Sequence, residues 1–119
     1  MEWNVKTGYC FEMLKIWLSS SLVASTKIAW LALRNEGEIS FSKLEPKQQA
    51  SINDVLSFFR KLNVLLSRNL LDKSLARDLF LEDANYWCDQ FDRLTADKEQ
   101  DKKLLEWYKN YVCTIRVHM

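Results

Sequence analysis

The sequence predicts an all-α protein: a single-domain bundle of five to six helices spanning residues 1–119. Two observations carry this. Glycine occurs twice (Gly8, Gly37) and proline once (Pro46), too few for the tight turns that an all-β chain of this length needs. Apolar residues recur at three- and four-residue spacing through most of the chain, which is the period of one helix face. The composition, 48% apolar and 28% charged, is that of a globular chain and not a disordered one.

The first helix is expected over about residues 7–18, with Cys10, Met13, Leu14, Trp17 and Leu18 inward. Ser19, Ser20 and Ser21 interrupt it, because serine hydroxyls compete for backbone hydrogen bonds and favour helix ends. A second helix follows over about 21–34, with Leu22, Val23, Ala29, Trp30 and Leu33 inward. Asn35-Glu36-Gly37 reads as its stop, since Gly37 can take a positive φ. Residues 36–45 read as a loop.

Pro46 opens the third and longest helix, where its missing N–H costs nothing. Ile52, Val55, Leu56, Phe59, Leu62 and Leu66, flanked by Leu65, form a wide apolar stripe, so this helix should be central. Asp72 is suited to cap a short fourth helix over about 73–80. A fifth is expected over about 82–94, with Ala84, Trp87, Cys88, Phe91 and Leu94 inward. Thr95 is expected to cap the last helix, about 96–115, with Leu104, Leu105, Tyr108, Tyr111, Val112 and Ile115 inward. Asp97, Glu99 and Asp101 sit near its start, where the helix dipole favours negative charge. Trp3 precedes the first helix and either packs onto the bundle or anchors a partner.

Chemistry is sparse in this sequence. The lone histidine, His118, lies next to the chain end, a poor place for an imidazole that must be held in position. Cys10, Cys88 and Cys113 are odd in number and widely spaced, with no CxxC. Neither a disulfide framework nor a zinc site is expected from them. They read as buried thiols in a reducing, cytoplasmic setting. No metal, cofactor or small-molecule substrate is expected, because there is no Gly-rich phosphate loop and no clustered ligand set. Glu82 adjoins Asp83, and Asp89 lies one turn from Asp92, but these acids fall opposite Trp87 and Phe91 and should be solvated. The chain therefore reads as non-enzymatic. The most apolar stretch, Met13 to Leu33, holds Lys15, Lys27 and the serine run, so a membrane-spanning or cleaved segment is not expected.

Two stretches carry a resemblance. FEMLKIWLSSSLVASTKIAWLAL (Phe11 to Leu33) sets a helix ending in Trp17 before serines and a second amphipathic helix. FFRKLNVLLSRNLLD, followed by ANYW and FDRL, lies within Phe58 to Leu94. Together they resemble a bacterial helical domain family of unknown function whose members often sit behind a membrane anchor. That resemblance implies a helical fold and brings no catalytic residues.

Charge placement says more than the net charge of +1. From Asp72 to Asp101 nine acidic residues face four basic ones, a local charge of −5. Such a segment could meet a basic partner and steer its approach. The expectation is a non-catalytic protein-binding module of the immunity or antitoxin type, with Glu82, Asp83, Asp89 and Asp92 as the candidate partner-binding residues. Self-association through an apolar helix face is the alternative, giving a homo-oligomer. A nucleic-acid accessory role is a third reading and a weaker one. Its best phosphate donors, Lys6, Lys15, Arg60, Lys61 and Arg68, are scattered rather than clustered.

Overall fold

The structure, a computed structural model, describes residues 4–35 and 37–119, apart from the side chains of Tyr108 and Arg116. Trp3, Glu36 and the inward placement expected for Tyr108 lie outside what is described. The described chain is an all-α bundle of six helices, the last a single turn, with one two-residue parallel strand pair.

Helix α1 runs Val5–Trp17, and Asn4 caps it by accepting a hydrogen bond from the Lys6 amide at 2.8 Å. The serine run acts as the sequence suggests: Ser19 caps α2, Ser20–Leu33, with its hydroxyl accepting from the Leu22 amide. The two helices meet at a 60° bend. Gly37 follows α2 with φ at +92°, a conformation that favours glycine.

The expected 36–45 loop contains structure. Ile39–Ser40 forms β1 and Phe41–Lys43 a 3-10 turn. Gln49 then holds this turn to α3, Pro46–Ser67, by donating to the carbonyls of Phe41 (2.9 Å) and Leu44 (3.1 Å). The Glu45 amide donates back to the Gln48 side chain at 3.0 Å, so the Pro46 start is capped as well as preset. Asn69 ends the helix with φ at +57°, which asparagine tolerates better than most residues.

α3 is the central helix. Ile52, Val55, Leu56, Phe59, Leu62 and Leu66 are all buried. Trp17 stacks on it, its ring 4.7 Å from Phe58 and 5.3 Å from Phe59. Phe58 in turn meets Phe80 at 5.8 Å. This aromatic group joins α1, α3 and the next helix into one core.

That next helix corrects the sequence reading. The expected fourth and fifth helices are one, α4, Lys73–Phe91. Neither glycine nor proline stands near Leu81, and Ala76, Phe80, Ala84, Trp87, Cys88 and Phe91 hold one unbroken buried stripe. Asp72 caps α4 as expected, its carboxylate accepting from the Leu75 amide at 3.0 Å.

Thr95 is not a helix cap. Leu94–Thr95 forms β2, pairing in parallel with β1 so that Ile39 lies beside Leu94 and Ser40 beside Thr95. The fully buried Leu94 anchors this pair, and tertiary pairing overrides the local capping preference. α5 starts later, at Glu99–Cys113, with Glu99 and Asp101 in its first turn. Asp97 instead accepts from the Ser40 and Ser42 hydroxyls at 3.4 and 3.3 Å. Thr114 breaks the helix before the one-turn α6, Ile115–His118.

Several side chains expected inward face solvent. Leu18, Val23, Trp30 and Leu104 are exposed, whereas Leu33, Leu105, Val112 and Ile115 are buried. Each of α1, α2 and α5 shows the core a narrow stripe, so apolar residues at the stripe's margin stay outside. No single described helix is long and apolar enough to cross a membrane.

Candidate functional site

α4 organises the acidic segment. Its buried stripe faces α1, α3, α5 and α6, which leaves the opposite side to water. Asp78, Glu82, Asp89 and Asp92 are exposed there. Their spacing of four, seven and three residues returns each to the same side of a 3.6-residue helix. Three of the four candidate residues, Glu82, Asp89 and Asp92, thus share one face. Asp78 belongs with them; its spacing from Glu82 carried that signal in the sequence. Among the described residues the sole ion pair is Lys15–Glu12 at 3.3 Å, on α1. The α4 acids are therefore not neutralised by direct pairing within the described chain.

Asp83 departs from the expectation. It is half-buried on the flank of α4, beside α1. Burial raises its pKa above the ordinary 3.8, and the neighbouring Glu82 charge raises it further; a hydrogen bond from the Trp17 side chain opposes both. Asp83 sits where α1 packs on α4 and does not belong to the solvated face. Its adjacency to Glu82 in sequence concealed this, because neighbouring residues on a helix point about 100° apart.

The cysteines give the main correction. Cys88, in α4, and Cys113, the last residue of α5, form a disulfide with their Cα atoms 5.1 Å apart. Twenty-five residues separate them in sequence, so spacing gave no warning. The packing of α5 against α4 brings them together. Only Cys10 is the buried free thiol expected of all three. Its Sγ lies 3.5 Å from the Asp72 carbonyl, and burial raises its pKa. With Cys88 and Cys113 joined, one free thiol stands where three were expected of a reducing, cytoplasmic setting.

Beside the disulfide an open cleft of about 350 Å³ is lined by Asp92, Glu106, Lys109, Asn110 and Cys113. Lys109 donates to the Leu94 carbonyl at 2.6 Å, linking α5 to β2. Desolvation lowers its pKa, against the pull of Asp92 and Glu106. The same α5 end is held from the other side by Asn63, 5% exposed, which donates to the Tyr111 carbonyl at 3.0 Å and to the Thr114 hydroxyl at 3.4 Å.

No family model, curated protein or solved structure matches this chain. The resemblance carried by residues 11–33 and 58–94 stays an expectation.

Two other features bear on function. A cleft of about 270 Å³ between α1, α2 and α3 holds Ser19, Ser25, Asp54, Ser57 and Lys61, with Ser25 donating to Asp54 at 2.8 Å. It is open to solvent. The basic residues considered for phosphate contact sit on different elements and some are engaged: Lys15 pairs with Glu12, and the Arg60 guanidinium lies 4.4 Å from the Trp107 ring centre.

Proposed function

We propose that this chain is a non-catalytic protein-binding module of the immunity or antitoxin type, which occludes a basic surface of another protein. The observation that carries the reading is the α4 stripe of Asp78, Glu82, Asp89 and Asp92, exposed and without an ion-pair partner among the described residues. A continuous helix backed by a packed core offers such a stripe at fixed spacing, which favours a complementary basic groove over diffuse attraction. Like charges along one helix face repel one another, and a basic partner relieves that repulsion on docking. Asp83 contributes little to contact in this reading, because Trp17 and the fold engage it.

The test compares the wild-type chain with the Glu82→Lys/Asp89→Lys double variant as immobilised bait for a host extract. Support is a basic protein retained by the wild type at low salt, released as salt rises, and held at least about tenfold more weakly by the variant. Retention unchanged by the double reversal defeats the proposal.

A second reading, self-association, draws on α1. Val5, Tyr9 and Ile16 are exposed there on one side, at four- and seven-residue spacing. Light scattering across concentration separates it from a monomeric binder.

A further inference from the structure

Cys88, Asp92 and Cys113 converge where α4 and α5 end. One sulfur from each cysteine and one carboxylate oxygen all lie within 4.8 Å of one another. Asp92, which closes α4, lies one turn beyond Cys88, at the margin between the buried stripe and the exposed face. Cys113 faces them from the last turn of α5. We propose that the dithiol form of this protein binds one Zn²⁺ through Cys88, Cys113 and Asp92, with a water at the fourth position, and that the disulfide is the oxidised, metal-free form of the same site.

The donor set suits this ion. Two thiolates and a carboxylate favour zinc over magnesium or calcium, which take oxygen ligands. Around tetrahedral zinc, metal–sulfur bonds are about 2.3 Å and metal–oxygen bonds about 2.0–2.2 Å, which puts neighbouring donors about 3.5–3.8 Å apart. A 4.8 Å envelope holds that arrangement. The helices already bring the two Cα atoms to 5.1 Å, so side-chain rotation can move the sulfurs from bonding distance to ligand distance. Cys88 closes the site from the core, being 4% exposed. Asp92 and Cys113 line the open cleft, which gives an ion its way in and leaves a position for water.

Two thiolates and one carboxylate carry three negative charges, of which Zn²⁺ offsets two. The Lys109 ammonium and the Glu106 carboxylate line the same cleft and offset each other, so the loaded site keeps one negative charge.

The two forms interconvert by balanced steps. Two equivalents of a small thiol reduce the disulfide to Cys88 and Cys113 thiols and are themselves joined as a disulfide. Zinc then displaces one proton from each thiol and bonds to both sulfurs. A small-molecule disulfide oxidises the pair by exchange, leaving as two thiols that take up two protons, while the Cys88–Cys113 bond re-forms and the ion is freed. In a reducing compartment the thiol form is the one present. Either bond joins α4 to α5, so the metal-free dithiol is the loosest of the three forms.

The experiment uses the full chain, reduced and stripped of metal under argon, beside the oxidised chain. Zn²⁺ is titrated against a chromophoric chelator, and Co²⁺ replaces it as a spectroscopic probe. The expected result is one equivalent bound by the reduced chain, with thiolate-to-cobalt charge-transfer absorption, and no such binding by the oxidised chain. Zinc should raise the melting temperature of the reduced chain alone. Cys10→Ala should bind as the wild type does. Cys113→Ser should lose the charge-transfer band of the paired thiolates. Asp92→Asn should keep that band and bind at least about tenfold more weakly. The proposal falls if the reduced wild type shows no thiolate-to-cobalt band. Equal melting temperatures with and without zinc, an unaltered band in Cys113→Ser, or wild-type affinity in Asp92→Asn would also overturn it.

Discussion

Cys88 in the last turn of the acidic helix and Cys113 at the end of α5 are joined at a sequence separation of 25, their Cα atoms 5.1 Å apart. Around this link α5 has only a thin apolar grip, with Leu105 and Val112 buried while Leu104 and Trp107 are exposed. The covalent tie and the Asn63 hydrogen bonds hold the same helix end from two sides. Covalent closure of a loop this long removes conformations from the unfolded chain, and the gain is commonly about 3 kcal/mol.

Reduction of the metal-free protein should therefore lower its unfolding free energy by about 3 kcal/mol. Urea denaturation followed by circular dichroism, with and without a thiol reductant, measures this. Thiol titration of the oxidised, denatured chain should find one free thiol, that of Cys10. An unchanged urea midpoint, or three titratable thiols before reduction, would contradict the link.

Asp83 should make stability depend on acid pH in a definite sense. Its folded pKa is raised, chiefly by burial, so the folded state holds the proton more tightly than the unfolded one. The folded chain then loses stability as pH rises from the unfolded value of 3.8 through the raised folded value. Above that window the charged carboxylate is a constant burden. Asp83→Asn removes the charge and keeps the size and shape of the side chain. Its melting temperature should exceed that of the wild type at pH 7, with the difference shrinking as pH falls through the raised folded value and vanishing well below 3.8, where the aspartate is neutral in both states. A lower melting temperature at pH 7 would show that the Trp17 contact outweighs the burial of charge.

Asn63 should be costly to remove. It is almost fully buried and supplies the side-chain donor to the Tyr111 carbonyl. Asn63→Ala leaves that carbonyl and a small void unfilled, for a loss of about 1–3 kcal/mol in equilibrium unfolding. Hydrogen exchange should quicken most in residues 110–118, since the lost contact holds that segment. A uniform effect along the chain would assign Asn63 a general packing role instead.

Asp72→Ala should cost about 1 kcal/mol, the usual value of a helix N-cap. The lost acceptor serves the Leu75 amide at 3.0 Å. Asp72→Asn or Asp72→Ser should restore most of the loss in thermal unfolding, because each keeps an acceptor at that position. Equal losses in all three variants would mean the carboxylate acts through its charge.

Local rules placed most of the helices. The serine run, Gly37, Pro46 and Asp72 mark ends where backbone groups need partners, and those needs can be read from neighbouring residues alone. The stripe of α3 was equally plain, because Ile52 to Leu66 bury one continuous face. The rules failed where the decision was made at a distance. The break expected near Leu81 does not occur, since the core continues through it. Thr95 pairs with Ser40, a residue 55 positions earlier.

The same division holds for the candidate site. Spacing alone put Glu82, Asp89 and Asp92 on one helix face, since a helix repeats its sides every 3.6 residues. Tertiary packing decided that Asp83 leaves that face to meet Trp17, and that Trp30 and Trp107 stay outside a core already filled by α3. It also decided that two cysteines which look unrelated along the chain share one point in space. A sequence states what each residue prefers locally; which distant residues become neighbours depends on how the helices return past one another.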